Sequence, residues 1–128
     1  MGLVSGLGRR AGQAALGVMF VKLGADAARS PGARVQKAAD LPLPLPMEPE
    51  LAVRVNGAAM VAGGAALITN KLPRLAALGL LASMVPTTLA GHRFWELEGA
   101  DRKAQEIQFY KNLGLMGGLV ALITRRAG

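Results

Sequence analysis

The candidate functional residues of this chain are polar side chains that interrupt long apolar stretches. An ionisable group inside an apolar span is costly, so such residues are candidates for a binding site. Two interpretations stay open: either the side chains pair locally and reach toward lipid headgroups, or together they form a pocket for a headgroup, a quinone or a partner residue. We call this set the polar layer, and its members are Lys22, Asp26, Arg54, Asn56, His92, Lys111 and Asn112.

His92 is the single histidine, and the aromatic pair Phe94 and Trp95 follows it closely. One histidine cannot supply two haem ligands, and the chain has no cysteine, so we predict neither a haem nor another metal site. An imidazole can donate a proton to a reducible headgroup, but nothing in the sequence requires that role. We expect His92 at a membrane interface, with Phe94 and Trp95 as interface anchors, and we assign no catalytic residue.

Composition favours a membrane protein of one domain. The chain has 128 residues, of which 52% are hydrophobic and only 18% are charged, and the charges cluster between runs of Ala, Leu, Gly and Val. This pattern is typical of a polytopic membrane protein. The absence of cysteine excludes disulfides, thiolate nucleophiles and iron–sulfur ligation. We interpret the net charge of +7 as a topology signal, and we predict no nucleic-acid partner.

The apolar stretches predict an all-α bundle of four transmembrane helices that spans residues 1–128 as a single domain. The predicted spans are 11–28, 51–69, 74–92 and 107–124. A short tail up to Arg10 precedes the first span, a tight turn at 70–73 with Pro73 opening the next helix joins the second to the third, and a charged link at 96–106 precedes the fourth. The first span could instead be a cleaved signal peptide, with Ala25-Asp26-Ala27 as the cleavage site. Between the first two spans, residues 33–39 are expected to form a short surface helix, and the Leu-Pro run 41–46 a stiff connector.

Two features of the later spans predict how they pack. Pro86 lies inside the third span and is expected to kink it, with Ser83, Thr87 and Thr88 helping to satisfy the freed carbonyl. In the fourth span, Gly114 and Gly118 have the spacing of a close-packing face. This face could also support an oligomer.

The distribution of charge predicts the orientation of the bundle. In a four-span topology every acidic residue falls on one side of the membrane. The other side has cations alone, and these are Arg9, Arg10, Lys71, Arg74, Arg125 and Arg126. The positive-inside rule therefore places both termini in the cytoplasm and the long first loop outside, with the polar layer in the outer third of the membrane.

Four segments resemble the DoxX family of small four-helix bacterial membrane proteins. They are Arg54–Met60 (RVNGAAM), Pro73–Leu78 (PRLAAL), Val85–Trp95 (VPTTLAGHRFW) and Phe109–Gly118 (FYKNLGLMGG). The likeness is strongest to the actinobacterial branch, in which His-Pro-Phe-Trp is usual. Here Arg93 replaces that proline, so the end of the third span is less sharply fixed.

The resemblance implies a multi-pass protein of the bacterial plasma membrane that is associated with oxidoreductase systems. Related proteins are linked to a thiosulfate:quinone oxidoreductase, and to a complex of superoxide dismutase with a sulfurtransferase in oxidative-stress defence. We therefore expect a membrane subunit or scaffold without independent activity, whose partners are the lipid bilayer and redox enzymes of that kind. The alternative is a quinone-reactive subunit that uses the polar layer, with quinone as its cofactor. A small transporter is a third, weaker interpretation.

Overall fold

The computed structural model describes residues 2–41 and 44–125, and within these ranges the chain is helical and contains no strand. This confirms the predicted all-α class. A short 3₁₀ helix, Phe94–Glu96, precedes the last long helix. The α-helices in chain order are α1 (Leu3–Arg29), α2 (Arg34–Ala39), α3 (Pro49–Thr69), α4 (Pro73–Gly91) and α5 (Gly99–Thr124).

The predicted spans lie in α1, α3, α4 and α5, and α1 and α5 begin well before the spans they contain. The short tail predicted before the first span, up to Arg10, is helical from Leu3, where α1 begins. The predicted charged link before the fourth span is helical from Gly99 onward, as the first turns of α5. The predicted surface helix is confirmed as α2. Of the Leu-Pro run, Pro42 and Leu43 lie outside the described residues.

Length and composition identify two candidate membrane spans among the described helices. They are Pro49–Thr69 and the segment Pro73–Glu96. Helices α1 and α5, with 27 and 26 residues, are each about 40 Å long and could also cross a bilayer. Polar side chains inside these two helices, among them Gln13 and Lys22 in α1 and Lys111 in α5, lower their mean hydropathy.

The turn between α3 and α4 forms as its sequence predicts. Asn70 and Leu72 both adopt positive φ angles, 58° and 45°, and Pro73 is the first residue of α4. A left-handed asparagine commonly ends a helix, and proline suits the first helical position because it has no N–H to leave unbonded. Helix α4 continues through Pro86, and the Thr87 hydroxyl donates to the Ser83 carbonyl at 2.9 Å. The expected kink at Pro86 stays a prediction.

Each long helix packs antiparallel to the next in the chain, in the order α1, α3, α4 and α5, while α2 lies against α3 and α4. The contact between α1 and α5 is small. This arrangement gives the bundle two distinct ends. The acid-bearing end includes α2, the 3₁₀ helix and the first turns of α3 and α5, and all 8 acidic residues lie toward it. The acid-free end includes the turn at Asn70 and the last turn of α5.

The tightest packing joins α1 and α3 through two reciprocal pairs of glycines. A Cβ atom added to Gly17 would lie 2.5 Å from the carbonyl oxygen of Gly64, and one added to Gly24 would lie 2.5 Å from that of Gly57. Within each helix the two glycines are about two turns apart, so they share a face. By contrast, a Cβ atom added to Gly114 would have no heavy atom of another described helix within 4 Å. An oligomer through Gly114 and Gly118 therefore stays a prediction.

The core of the bundle is small, and much of the apolar surface faces outward. Phe20, Leu67, Leu80 and Leu119 are almost fully buried. Large apolar side chains on every long helix are nevertheless exposed, and they include Leu23, Val55, Leu78, Val85, Leu113 and Val120. Such helices, which are apolar around most of their circumference, suit a lipid environment.

Candidate functional site

The polar layer does not converge on one pocket, because most of its members are used in separate pairwise contacts. Lys22 and Asp26 form a salt bridge of 3.0 Å on the surface of α1, where the Lys22 side chain is 72% exposed. This is the local i, i+4 pair that the first interpretation of the polar layer predicts. Neither residue reaches another helix through a side-chain hydrogen bond in the described structure.

Arg54 connects the beginning of α3 to the end of α1. Its Nη1 donates to the carbonyl oxygen of Ala28 at 2.6 Å, while Nη2 lies 2.9 Å from a Glu50 carboxylate oxygen. The last carbonyl groups of a helix have no partner within the helix, so an arginine from a neighbouring helix can satisfy one of them. Arg54 therefore fixes where α1 ends against α3.

Two amides of the polar layer join neighbouring helices. The Ser83 hydroxyl donates to Asn56 Oδ1 at 2.7 Å, which links α4 to α3. Asn112 Nδ2 donates to the Thr88 hydroxyl at 3.0 Å, which links α5 to α4. Thr88 is only 1% exposed. In a low-dielectric interior such bonds are specific contacts, and they fix the relative positions of the helices.

His92 ends α4 and faces the beginning of α5. Its Nδ1 lies 2.6 Å from Gln105 Oε1, so the ring and the amide form a hydrogen bond between the end of α4 and α5. Beside it, Lys37 of α2 donates to the Gly91 carbonyl at 3.1 Å. Across residues 2–41 and 44–125, no group of three or more His, Asp or Glu side chains is placed to hold a metal ion.

Phe94 and Trp95 belong to a cluster of four aromatic rings at the acid-bearing end. Phe94 packs edge to face on Trp95 and on Phe109, with ring centroids 5.3 Å apart in both pairs, and Tyr110 completes the cluster. The Arg102 guanidinium lies 5.6 Å from the centre of the Phe94 ring. Trp95 remains 46% exposed. Anchoring of Phe94 and Trp95 at a membrane interface stays a prediction.

The remaining member of the polar layer, Lys111, is exposed on α5 and forms no side-chain hydrogen bond with the described residues. An open cleft of about 520 Å³ lies at the acid-bearing end, between α2 and the start of α3. It contains no member of the polar layer. Its lining consists of Ala38, Ala39, Leu41, Pro44, Leu45, Met47 and Pro49.

The structure adds a polar network at the acid-free end that sequence reasoning missed. Gln13 is 1% exposed, and its Nε2 donates to the Leu67 carbonyl and to Asn70 Oδ1, each at 2.9 Å. Arg125 Nη1 donates to Gln13 Oε1 at 3.3 Å, and Arg74 Nη2 donates to the Arg125 carbonyl. Gln13 interrupts an apolar stretch just as Lys22 does. The sequence therefore marks Gln13 as unusual, but the residues that it bonds to lie far from it in the chain.

These features define the class: a small helical protein whose spans and outward apolar faces suit a membrane. The DoxX family model matches residues 2–93, which include α1 to α4 and end at Arg93. The chain belongs to the DoxX family, as its sequence motifs predict, although the resembling segment Phe109–Gly118 lies beyond the match. Neither a curated protein nor a solved structure gives a significant match to the chain.

Proposed function

We propose that all four long helices cross the membrane, with both termini in the cytoplasm of a bacterial cell. Packing supports this proposal. The glycine contacts place the middle of α1 against the middle of α3, so α1 occupies the same layer as a candidate span. Leu119 and Leu122 of α5 belong to the same core as Leu80 and Met84 of α4. The acid-free end is then cytoplasmic by the positive-inside rule.

The absence of cysteine permits a direct test of this topology. Single cysteines replace Ser5, Ser30, Lys71 or Lys103, and intact cells are treated with a membrane-impermeant maleimide. We expect Ser30→Cys and Lys103→Cys to react in intact cells, and Ser5→Cys and Lys71→Cys only after lysis. If α3 and α4 alone crossed the membrane, position 5 would share its side with positions 30 and 103. That pattern would contradict the four-span proposal.

Within this topology, we propose that the protein is a non-catalytic membrane subunit or scaffold of an oxidoreductase system. The proposal rests on the contacts that the side chains of the polar layer make within the bundle. Asn56, Asn112 and Arg54 are engaged in contacts between helices, and His92 is paired with Gln105. Side chains occupied in this way stabilise a bundle, while the redox role comes from the family resemblance. Its partners would be enzymes such as superoxide dismutase or a sulfurtransferase.

Co-purification from native membranes tests the scaffold proposal. The tagged chain is extracted from oxidatively stressed cells in a mild detergent, and proteins that accompany it are identified by mass spectrometry. We expect a redox enzyme to be enriched at least about tenfold over a control with an unrelated tagged four-span protein. Recovery of the chain alone, with its helical content intact, would contradict the proposal.

One observation favours the quinone-reactive alternative. His92 bonds to Gln105, and the two residues lie two positions before Phe94 and one helical turn before Phe109 of the aromatic cluster. A polar group among aromatic side chains is a common setting for a planar headgroup. This alternative predicts that quinone accompanies the purified protein, and that His92→Ala lowers quinone reduction in membranes. Lys103→Ala on an exposed turn of α5 is the matched control. Equal rates in wild type, His92→Ala and the control would contradict it.

A further inference from the structure

The acid-free end of the bundle concentrates positive charge without a compensating carboxylate. All 8 acidic residues lie toward the opposite end. Every salt bridge in the described part of the chain also belongs to that opposite half. At the acid-free end the described cations are Arg9, Arg10, Lys71, Arg74 and Arg125. This surface therefore attracts an anion that the chain itself does not provide.

Two of these cations are held together by the polar network. Arg74 donates to the Arg125 carbonyl, and Arg125 donates to the side chain of the buried Gln13. A guanidinium has five N–H donors, and within the described residues these contacts use one donor of each arginine. Arg74 is exposed and Arg125 half-buried. Both arginines are therefore anchored at the acid-free end, and their remaining donors are available to the oxygen atoms of a phosphate.

Apolar surface continues from this pair along the bundle. Leu75 follows Arg74 and is 64% exposed, and Leu78, which lies one turn further along the same face of α4, is 52% exposed. A phosphate bound at Arg74 and Arg125 would thus have an apolar helix face directly beside it. A free phosphate ion makes no apolar contact with such a face, whereas the acyl chains of a phospholipid can pack against it.

We propose that the acid-free end binds the headgroup of an anionic phospholipid. Arg74 and Arg125 contact its phosphate, Gln13 positions Arg125, and Arg9 and Lys71 add long-range attraction. The acyl chains lie along the exposed face of α4. The inference rests on insertion of the chain in a membrane and is independent of any redox partner.

Native mass spectrometry of the whole protein in detergent tests this site. The protein is titrated with phosphatidylglycerol or with phosphatidylcholine that has the same acyl chains. We expect wild type to prefer phosphatidylglycerol, and Arg74→Gln/Arg125→Gln to weaken its binding about tenfold or more, since each cation near an anionic headgroup contributes substantially. The control Arg29→Gln/Lys103→Gln removes the same charge from exposed positions at the acid-bearing end and should change binding less than about twofold.

A second double variant keeps the test valid if Arg74→Gln/Arg125→Gln fails to fold. Arg9→Gln/Lys71→Gln removes cations that form no side-chain hydrogen bond among the described residues, and it should weaken phosphatidylglycerol binding about threefold. Equal losses in the acid-free-end and acid-bearing-end variants, or no preference between the two lipids, would overturn the proposal. If inorganic phosphate at equal concentration displaced the lipid, the site would be one for free phosphate, and the lipid proposal would be overturned. If the Arg74→Gln/Arg125→Gln protein lost a bound acidic protein and no lipid, the surface would belong to a protein partner. That result would also overturn the lipid proposal.

Discussion

Replacing Gly17 by alanine is expected to destabilise the bundle by about 2–3 kcal/mol, the upper part of the usual range of about 1–3 kcal/mol for forcing an extra methyl group into a packed contact. The added Cβ would lie 2.5 Å from the Gly64 carbonyl oxygen and 3.1 Å from the backbone nitrogen of Ile68. Backbone atoms cannot move away by a change of rotamer, as a flexible side chain can, so α1 and α3 must separate. Close contacts of this kind are the main attraction between helices in lipid, where no hydrophobic effect drives them together.

The measurement is unfolding in mixed micelles with increasing dodecyl sulfate, followed by far-ultraviolet circular dichroism. Gly114→Ala is the matched control, because it makes the same chemical change on α5, where no other described helix lies within 4 Å of the added Cβ. It should be neutral, or stabilising by up to about 1 kcal/mol through helix propensity. If Gly17→Ala unfolded at the same point as Gly114→Ala, the close packing of α1 on α3 would be wrong.

Replacing Gln13 by alanine is expected to cost about 2–3 kcal/mol, since it removes a buried hydrogen-bonding centre that three partners share. Asn70 Oδ1 loses its donor and Arg125 loses its acceptor, while the Leu67 carbonyl keeps only the longer bond from the Asn70 N–H, at 3.3 Å. Leu67 is fully buried, so water cannot easily replace the lost bond at its carbonyl. The acid-free end of α1 should therefore open away from the turn between α3 and α4.

The same unfolding assay measures this change, and hydrogen exchange of the amides near Asn70 should rise with it. Gln36→Ala provides the comparison, because Gln36 donates only to Asp40 on the exposed surface of α2. Its cost should stay below about 0.5 kcal/mol. Equal stability of the two variants would show that the Gln13 network does not hold the helices together.

The outcome for the polar layer shows why residue type alone could not define a site. Lys22, Arg54 and Asn112 all interrupt apolar stretches, and in sequence they are equivalent candidates. The structure gives them different roles: Lys22 pairs with Asp26 on a surface, Arg54 caps a neighbouring helix, and Asn112 bonds to Thr88. Which partner each side chain meets depends on how far its helix is shifted and rotated against its neighbours. The proposal of one shared pocket has no support from these contacts.

The sequence by itself determined the helical class, the approximate position of the four long helices, the turn at Asn70 and Pro73, and the family. These follow from local physics: long apolar runs, proline and asparagine at helix ends, and motifs that are continuous in the chain. It also determined that all acids lie toward one end, because alternating spans bring alternate loops together.

Tertiary structure decided which face of each helix points inward. A helix that is apolar around its circumference has no preferred side in its sequence pattern. The pairing of Gly17 with Gly64 and of Gly24 with Gly57 therefore emerges only when α1 lies antiparallel on α3 in one register. The same holds for Gln13, whose partners come from the end of α3, the turn after it and the end of α5. The residues in these contacts are far apart in the sequence and meet only when the helices pack.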